Sequence, residues 1–120
     1  MNRWLLACAV LGFVSVAGGA FGAHAIADHI SAQRMETFET GTQYAQFHTA
    51  ALLAIVLGGK ADHMALTCWC FSIGILIFTG SLWTLAITGI GWLGAITPIG
   101  GLAFLTGWSA VAWRAMRPSS

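Results

Sequence analysis

Long uncharged segments alternate with short polar ones along the chain. The first segment, Trp4 to Ala23, has twenty residues without a charge. A helix of that length is about 30 Å long, which is the thickness of the hydrocarbon core of a bilayer. The second covers 41–59, and the third, 64–113, is long enough for two helices, with two glycines at 89 and 91 as the break. The pattern predicts an all-α fold, a four-span transmembrane helix bundle in a single membrane domain, 1–120, with spans at about 4–26, 41–59, 64–87 and 92–113.

The stretch from Ala27 to Thr40 is the only long polar part of the chain. Three acidic side chains and Arg34 give it a net charge of −2, and Ser31 is placed to cap a helix. Its apolar residues recur at helical spacing. We therefore expect a short interfacial helix between spans one and two, which either lies at the membrane surface or continues into span two without a break.

The start of the fourth span has two interpretations. Pro98 either kinks a helix that begins near Trp92, or it is the first residue of a helix that Thr97 caps. Proline is favoured at the first position of a helix because its missing N–H would be unpaired there anyway. The second interpretation is therefore preferred.

The distribution of basic residues predicts the orientation. With four spans, both termini and the Lys60 connection share one side, which carries Arg3, Lys60, Arg114 and Arg117, whereas the other side carries only Arg34. Basic residues accumulate on the cytoplasmic side of membrane proteins. The prediction is a multi-pass protein of the bacterial inner membrane with both termini in the cytoplasm.

Composition excludes several classes of protein. The chain is 58% hydrophobic and 8% charged, with a net charge of +1, so we expect no nucleic-acid partner. Residues 1–25 could be read as a signal peptide with an Ala23-His24-Ala25 cleavage site, but the remainder is itself membrane-bound and retention is favoured. Phosphate-binding loops, nucleophile elbows and spaced metal motifs are absent from the sequence. We predict no enzyme, no cofactor and no metal.

Small residues at four-residue spacing predict helix contacts, because small side chains let helix backbones approach closely in lipid. The candidate packing positions are Gly18 and Gly22 on span one, Ala54 and Gly58 on span two, and Gly107 on span four.

Polar side chains within the spans predict a site near the non-cytoplasmic face. Such groups are costly in lipid unless they face protein or water. Thr40, Tyr44 and His48 follow one another at four-residue steps on one helix face. The predicted polar pocket consists of His24, Glu39, Tyr44, His48 and Ser81. The leading interpretation is a hydrogen-bonded cluster that fixes helix register; a proton-linked or small-solute site and a metal or haem site are the alternatives.

Four ordered motifs resemble a known family. They are Gly19-Ala20-Phe21-Gly22-Ala23-His24, Glu39-Thr40-Gly41 with Tyr44 and His48, Thr79-Gly80-Ser81-Leu82, and Leu93 to Gly101. Together they resemble the YgdD-like family of small inner-membrane proteins, a domain-of-unknown-function family with mitochondrial relatives. The resemblance implies a four-span inner-membrane protein and brings no activity with it. Trp83 stands where the family pattern has tyrosine.

The functional prediction follows from these features. We expect a structural, assembly or partner-binding membrane protein that contacts the lipid bilayer and either a membrane-protein partner or further copies of itself. The alternative is a small-solute or proton-linked transporter or channel, for which a charge or a broken helix at the midplane would be typical. A haem or metal-binding membrane protein is the third candidate.

Overall fold

The computed structural model describes residues 1–117, and all of its regular elements are helical. The α-helices are α1 (Arg3–Val16), α2 (Ala23–Ile26), α3 (Ala32–Leu57), α4 (Ala65–Thr88) and α5 (Thr97–Met116). A π-helical segment, Ala17–Gly22, joins α1 to α2, and a 3₁₀ helix, Gly91–Ala95, precedes α5. The all-α fold class is confirmed.

Three segments of the described chain are long and apolar enough to cross a membrane: Arg3–Ile26, Ala65–Thr88 and Gly91–Met116. They include the predicted spans one, three and four. Helix α3 is as long as the others, with 26 residues, but Gln43, Gln46 and His48 lower its hydropathy. The second span and the four-span count are therefore not confirmed and stay predictions.

The separate interfacial helix is not confirmed either. Residues 32–40 form the first turns of α3, which runs without interruption to Leu57. Ser31 caps this helix, as its side chain accepts a hydrogen bond from the backbone N–H of Arg34 at 3.2 Å. The polar stretch is thus helical, and it is continuous with the apolar half of α3.

The helices form an antiparallel row in which α1 packs on α3, α3 on α4 and α4 on α5. Two groups of buried apolar side chains hold the row together. Cys8, Leu52, Val56 and Cys68 join α1, α3 and α4. Ala45, Phe71, Ile75 and Phe104 join α3, α4 and α5.

Glycines allow the closest helix contacts. A Cβ atom at Gly100 would lie 2.5 Å from the backbone nitrogen of Phe78, and one at Gly107 would lie 2.6 Å from the Phe71 ring. A Cβ atom at Gly18 would overlap the Trp83 indole ring, so the π-helical segment after α1 also approaches α4. Close approach through small residues is the usual basis of helix association in lipid.

The other predicted packing positions make looser contacts. A Cβ atom at Gly22 would be in ordinary contact with Phe38, at 3.5 Å. Ala54 and Gly58 are both exposed, and Gly58 is the C-cap of α3, where its N–H bonds the carbonyl of Ala54. Among residues 1–117, therefore, Ala54 and Gly58 do not form a contact between helices.

Helix α5 begins at Thr97 with Pro98 in its first turn, and no side chain caps it. Ile96 occupies the N-cap position. The Thr97 hydroxyl is instead 2.6 Å from the hydroxyl of Ser81 on α4. The start of α5 thus agrees with the preferred interpretation, whereas the cap expected from Thr97 is not observed.

The only basic residue on the predicted non-cytoplasmic side has a structural role. Arg34 donates from Nε to the carbonyl of Ala86 and from Nη2 to that of Ile87, both at 2.7 Å. These carbonyls lie in the last turn of α4, where no intrahelical partner exists. Gly89, with φ of +73°, ends the helix beside the guanidinium group. Arg34 therefore fastens the start of α3 to the end of α4.

Candidate functional site

His48 is buried on α3, and both of its ring nitrogens are hydrogen-bonded. Trp108 Nε1 on α5 lies 3.0 Å from His48 Nε2, and His48 Nδ1 lies 2.8 Å from the carbonyl oxygen of Tyr44. Because an indole N–H can only donate, Nε2 is the acceptor and Nδ1 carries the proton. The imidazole also stacks on Phe104, with ring centroids 3.7 Å apart. His48 is thus a neutral, fully satisfied link between α3 and α5.

A groove of about 840 Å³ lies beside this link, between α3 and α5. Its floor includes Phe78 of α4, which packs on Tyr44 with ring centroids 4.5 Å apart. The lining is mainly apolar and aromatic, and comprises Gln43, Tyr44, Phe47, His48, Phe78, Pro98, Gly101, Leu102, Phe104, Leu105 and Trp108. The Tyr44 hydroxyl forms no hydrogen bond with any residue from 1 to 117.

The five side chains of the predicted polar pocket lie in different places. Tyr44 and His48 line the α3/α5 groove, whereas Glu39 lines a smaller cleft of about 230 Å³ against the π-helical segment. Ser81 pairs with Thr97 between α4 and α5. His24 is exposed on α2 and forms no hydrogen bond within the described part of the chain.

Helix geometry explains this separation. Residues nine positions apart on an α-helix are about 180° apart around its axis. Glu39 and His48 therefore point in opposite directions from α3, although the sequence places both on one side of the membrane. Of the five predicted residues, the structure brings together only Tyr44 and His48.

Hydroxyl groups on the inner faces of the helices find partners across the bundle. Thr79 donates to the carbonyl of Gly41 at 2.7 Å, and Thr67 donates to that of Gly107 at 3.1 Å. Trp83 donates to the hydroxyl of Thr42 at 3.0 Å. These bonds join α3 to α4 and α4 to α5. Only the buried hydroxyl of Thr49 has no partner among the described residues.

The opposite side of α3 is exposed and polar, and its half nearer Ala32 borders the cleft against the π-helical segment, which Gln43 and Gln46 line together with Glu39. We define the outer face of α3 as the exposed residues Glu39, Gln43, Gln46, Ala50 and Ala54, which lie within about 80° of one another around the helix. The side chains of Glu39, Gln43 and Gln46 form no hydrogen bond or ion pair with any residue from 1 to 117. Polar groups occupy the half of this face nearer Ala32, and small residues occupy the other half.

Within residues 1–117, no group of three His, Cys, Asp or Glu side chains could hold a metal ion. Cys8 and Cys68 are buried thiols, and Cys70 is half-buried.

Sequence reasoning did not identify Trp108 or Arg34 as functional contacts. Trp108 is 60 positions from His48, and Arg34 is 52 from Ala86. Such pairings depend on how the helices align, which no local spacing specifies. Arg34 is the single basic residue of the polar stretch 27–40, and that is a signal that could have led to it.

Together, the apolar helices and the internally bonded hydroxyls define a small, all-helical membrane protein. The sequence profile of a family described as "Protein of unknown function (DUF423)" matches residues 18–101. The chain belongs to this family, as the motifs in the sequence indicated.

Similar proteins extend over almost the whole chain. A UPF0382 membrane protein of Haemophilus influenzae is 38% identical, over 99% of this chain and 98% of its own length. The UPF0382 inner membrane protein YgdD of Escherichia coli K12 is 34% identical, over 94% and 88% respectively. The UPF0382 membrane protein SSP2132 of Staphylococcus saprophyticus is 38% identical, over 90% and 92%. No solved structure matches the chain.

Proposed function

We propose that this chain is a four-span inner-membrane protein that acts by binding a partner membrane protein through the outer face of α3. Its role is then structural or in assembly rather than catalytic. The observation that carries the proposal is that three polar side chains on that face, at Glu39, Gln43 and Gln46, have no hydrogen-bond partner among residues 1–117.

The depth of α3 in the membrane supports the proposal. Helix α3 packs between α1 and α4, and both neighbours belong to segments that are apolar enough to span. With 26 residues, α3 is about 39 Å long, which exceeds the hydrocarbon thickness. A helix in this position crosses the bilayer together with its neighbours. With span two at 41–59, Gln43 and Gln46 then lie in the outer part of the hydrocarbon layer, at the end of the span nearer Ala32.

The cost of exposing these groups to lipid supports a partner. A polar side chain in hydrocarbon without a hydrogen bond is unfavourable, and such groups usually face protein or a water-filled cavity. Glutamine both donates and accepts, so a polar side chain on a neighbouring helix would satisfy it. Ala50 and Ala54 are small enough for that helix to approach closely.

The interior of the bundle favours binding over transport. His48 is neutral and both of its nitrogens are engaged, so it is not free to carry a proton or to bind haem or a metal. His24, the other histidine considered as a ligand, is exposed on α2. The buried hydroxyls are used to join helices. For these reasons a proton-linked transporter and a metal or haem protein are less well supported.

Photo-crosslinking in native membranes tests the partner. A photoreactive amino acid at Ala50, on the outer face of α3, should give one discrete crosslinked product that depends on Gln43 and Gln46. The same amino acid at Phe13, an exposed position on α1, should give only lipid adducts. Equal products from both positions, or from neither, would contradict a binding face on α3.

The proposed orientation places both termini in the cytoplasm. In a variant without its three cysteines, a single cysteine at Ser31 should react with a membrane-impermeant thiol reagent on intact cells. A single cysteine at Asp62, in the exposed connection between α3 and α4, should not react. The reverse labelling would invert the orientation.

A further inference from the structure

The groove between α3 and α5 is a second candidate site. It shares Gln43 with the outer face of α3, but the proposal for it rests on no residue of that face. We propose that this groove holds one acyl chain of a phospholipid from the leaflet at the Pro98 end of the bundle. The ester carbonyl of that lipid accepts a hydrogen bond from Tyr44.

The dimensions of the groove fit a single leaflet. Pro98 and Trp108 mark its two ends on α5, and ten residues of helix correspond to about 15 Å. That is half of the hydrocarbon thickness of about 30 Å. Its volume of about 840 Å³ is within the usual range of small-molecule sites. A transmembrane helix of a partner is about twice as long as this groove.

The walls of the groove are suited to an alkyl chain. Phe47 and Leu105, on its two sides, are 61% and 64% exposed. Phe104, in its floor, is held by its stacking on His48, and His48 is held in turn by Trp108. A rigid aromatic floor between two exposed apolar walls offers an alkyl chain a preformed surface, so little ordering is needed on binding.

The hydroxyl of Tyr44 in the groove favours a lipid over a plain hydrocarbon and over a partner helix. The Tyr44 hydroxyl has no partner among residues 1–117, and a stranded hydroxyl in hydrocarbon is unfavourable. Side chains on a helix tilt toward its N-terminus, which for α3 is the end nearer Pro98. The hydroxyl is thus directed to the membrane surface, where ester carbonyls lie. A partner helix offers few free acceptors, since its backbone carbonyls are bonded internally.

Gly101 allows the groove to be filled without disturbing the fold. A Cβ atom at Gly101 would meet nothing within 4 Å, although Gly101 lines the groove. Gly80 on α4 is equally open and is not among the groove residues. Gly101→Phe and Gly80→Phe are therefore a matched pair that differ in whether the new ring enters the groove.

Native mass spectrometry of the purified full-length chain, with added phosphatidylethanolamine, tests the site. Wild type and Gly80→Phe should retain one phospholipid, whereas retention by Gly101→Phe should fall about tenfold or more, as the ring takes the place of the chain. Tyr44→Phe should lower retention about three- to tenfold by removing one hydrogen bond. Equal retention by all four proteins would overturn the proposal.

A phospholipid with a diazirine in its acyl chain provides the second readout, in membranes. Labelling should concentrate on Phe47 and Leu105 and should disappear in Gly101→Phe but not in Gly80→Phe. Even labelling of exposed residues such as Phe13 would show that the lipid surrounds the protein without a specific site, and this would overturn the proposal. An isoprenoid quinone or a crosslinked partner helix in the groove would also overturn it. The outer face of α3 can fail its own crosslinking test without affecting either readout.

Discussion

The two sides of α3 differ in what their polar groups do. On the inner side, His48 bonds Trp108 and the Tyr44 carbonyl, and Thr42 accepts from Trp83. On the outer side, Glu39, Gln43 and Gln46 have no partner in residues 1–117. One helix of 26 residues thus has one side whose polar groups are bonded within the chain and another whose polar groups are bonded to none of residues 1–117.

On the proposed function, the stability of the chain and its binding rest on different sides of α3. Polar groups that the chain satisfies itself fix the register of its helices, because an alternative register would strand them in lipid. Polar groups that the chain leaves unsatisfied favour association with something else. The four predictions below compare positions that contact the rest of the chain with positions that do not, from the largest expected effect to the smallest.

Added bulk should be harmful on the inner side of α3 only. A Cβ atom at Gly41 would lie 3.2 Å from the Cβ atom of Leu82 and 3.3 Å from Trp83, so Gly41→Leu should overpack the α3/α4 contact. We expect a loss of about 3 kcal/mol in the free energy of unfolding, measured in detergent. Ala50→Leu, on the outer face, is the control and should change it by less than about 0.5 kcal/mol. Similar losses in both variants would mean that the outer face is also packed within the chain.

The two histidines of the predicted pocket should differ in the same way. His48→Leu leaves the N–H of Trp108 without its acceptor, and an unsatisfied buried donor costs about 1–3 kcal/mol. His24→Leu removes an exposed ring with no partner in the described chain and should have little effect. Thermal unfolding of both variants checks this. A loss of stability in His24→Leu as large as that in His48→Leu would support the predicted pocket that contains both histidines.

A single hydroxyl should show a smaller contrast. Thr79→Val removes the bond to the carbonyl of Gly41, and interhelical bonds of this kind average about 0.6 kcal/mol in membranes. Thr40→Val removes only a bond to the carbonyl of Glu36, within one exposed turn of α3. Chemical denaturation should resolve the first loss and not the second. A larger effect at Thr40 would mean that this hydroxyl has a partner beyond its own turn of α3.

Much of the fold could be predicted because lipid imposes strict local rules. Long runs of uncharged residues identified three membrane segments, and Ser31 and Pro98 indicated where α3 and α5 begin. The separate interfacial helix was not confirmed, because Gly41, a weak helix former between Glu39 and Tyr44, does not interrupt α3. Whether a helix continues from a polar stretch into an apolar one depends on the elements that it packs against. Here Arg34 bonds the start of α3 to the end of α4.

The candidate site was harder to predict. Proximity along the chain brought His24, Glu39 and His48 together in the prediction, but the direction of each side chain around its helix separates them. The partner of His48 is on α5, and the small residues at Ala54 and Gly58 lie away from α1, α4 and α5. Helix periodicity shows which residues share a face. It does not show which face meets the rest of the chain.

The double variant Gln43→Leu/Gln46→Leu tests the central claim, which is that the polar groups on the outer side of α3 serve binding and not the stability of this chain. In detergent, the free energy of unfolding of the purified protein should stay within about 0.5 kcal/mol of wild type, because neither amide has a partner in residues 1–117. Thr42→Val, on the inner side, is the control and should lose about 1 kcal/mol. A loss from the double variant of about 2 kcal/mol or more would show that the chain itself uses these glutamines, and the claim would be wrong.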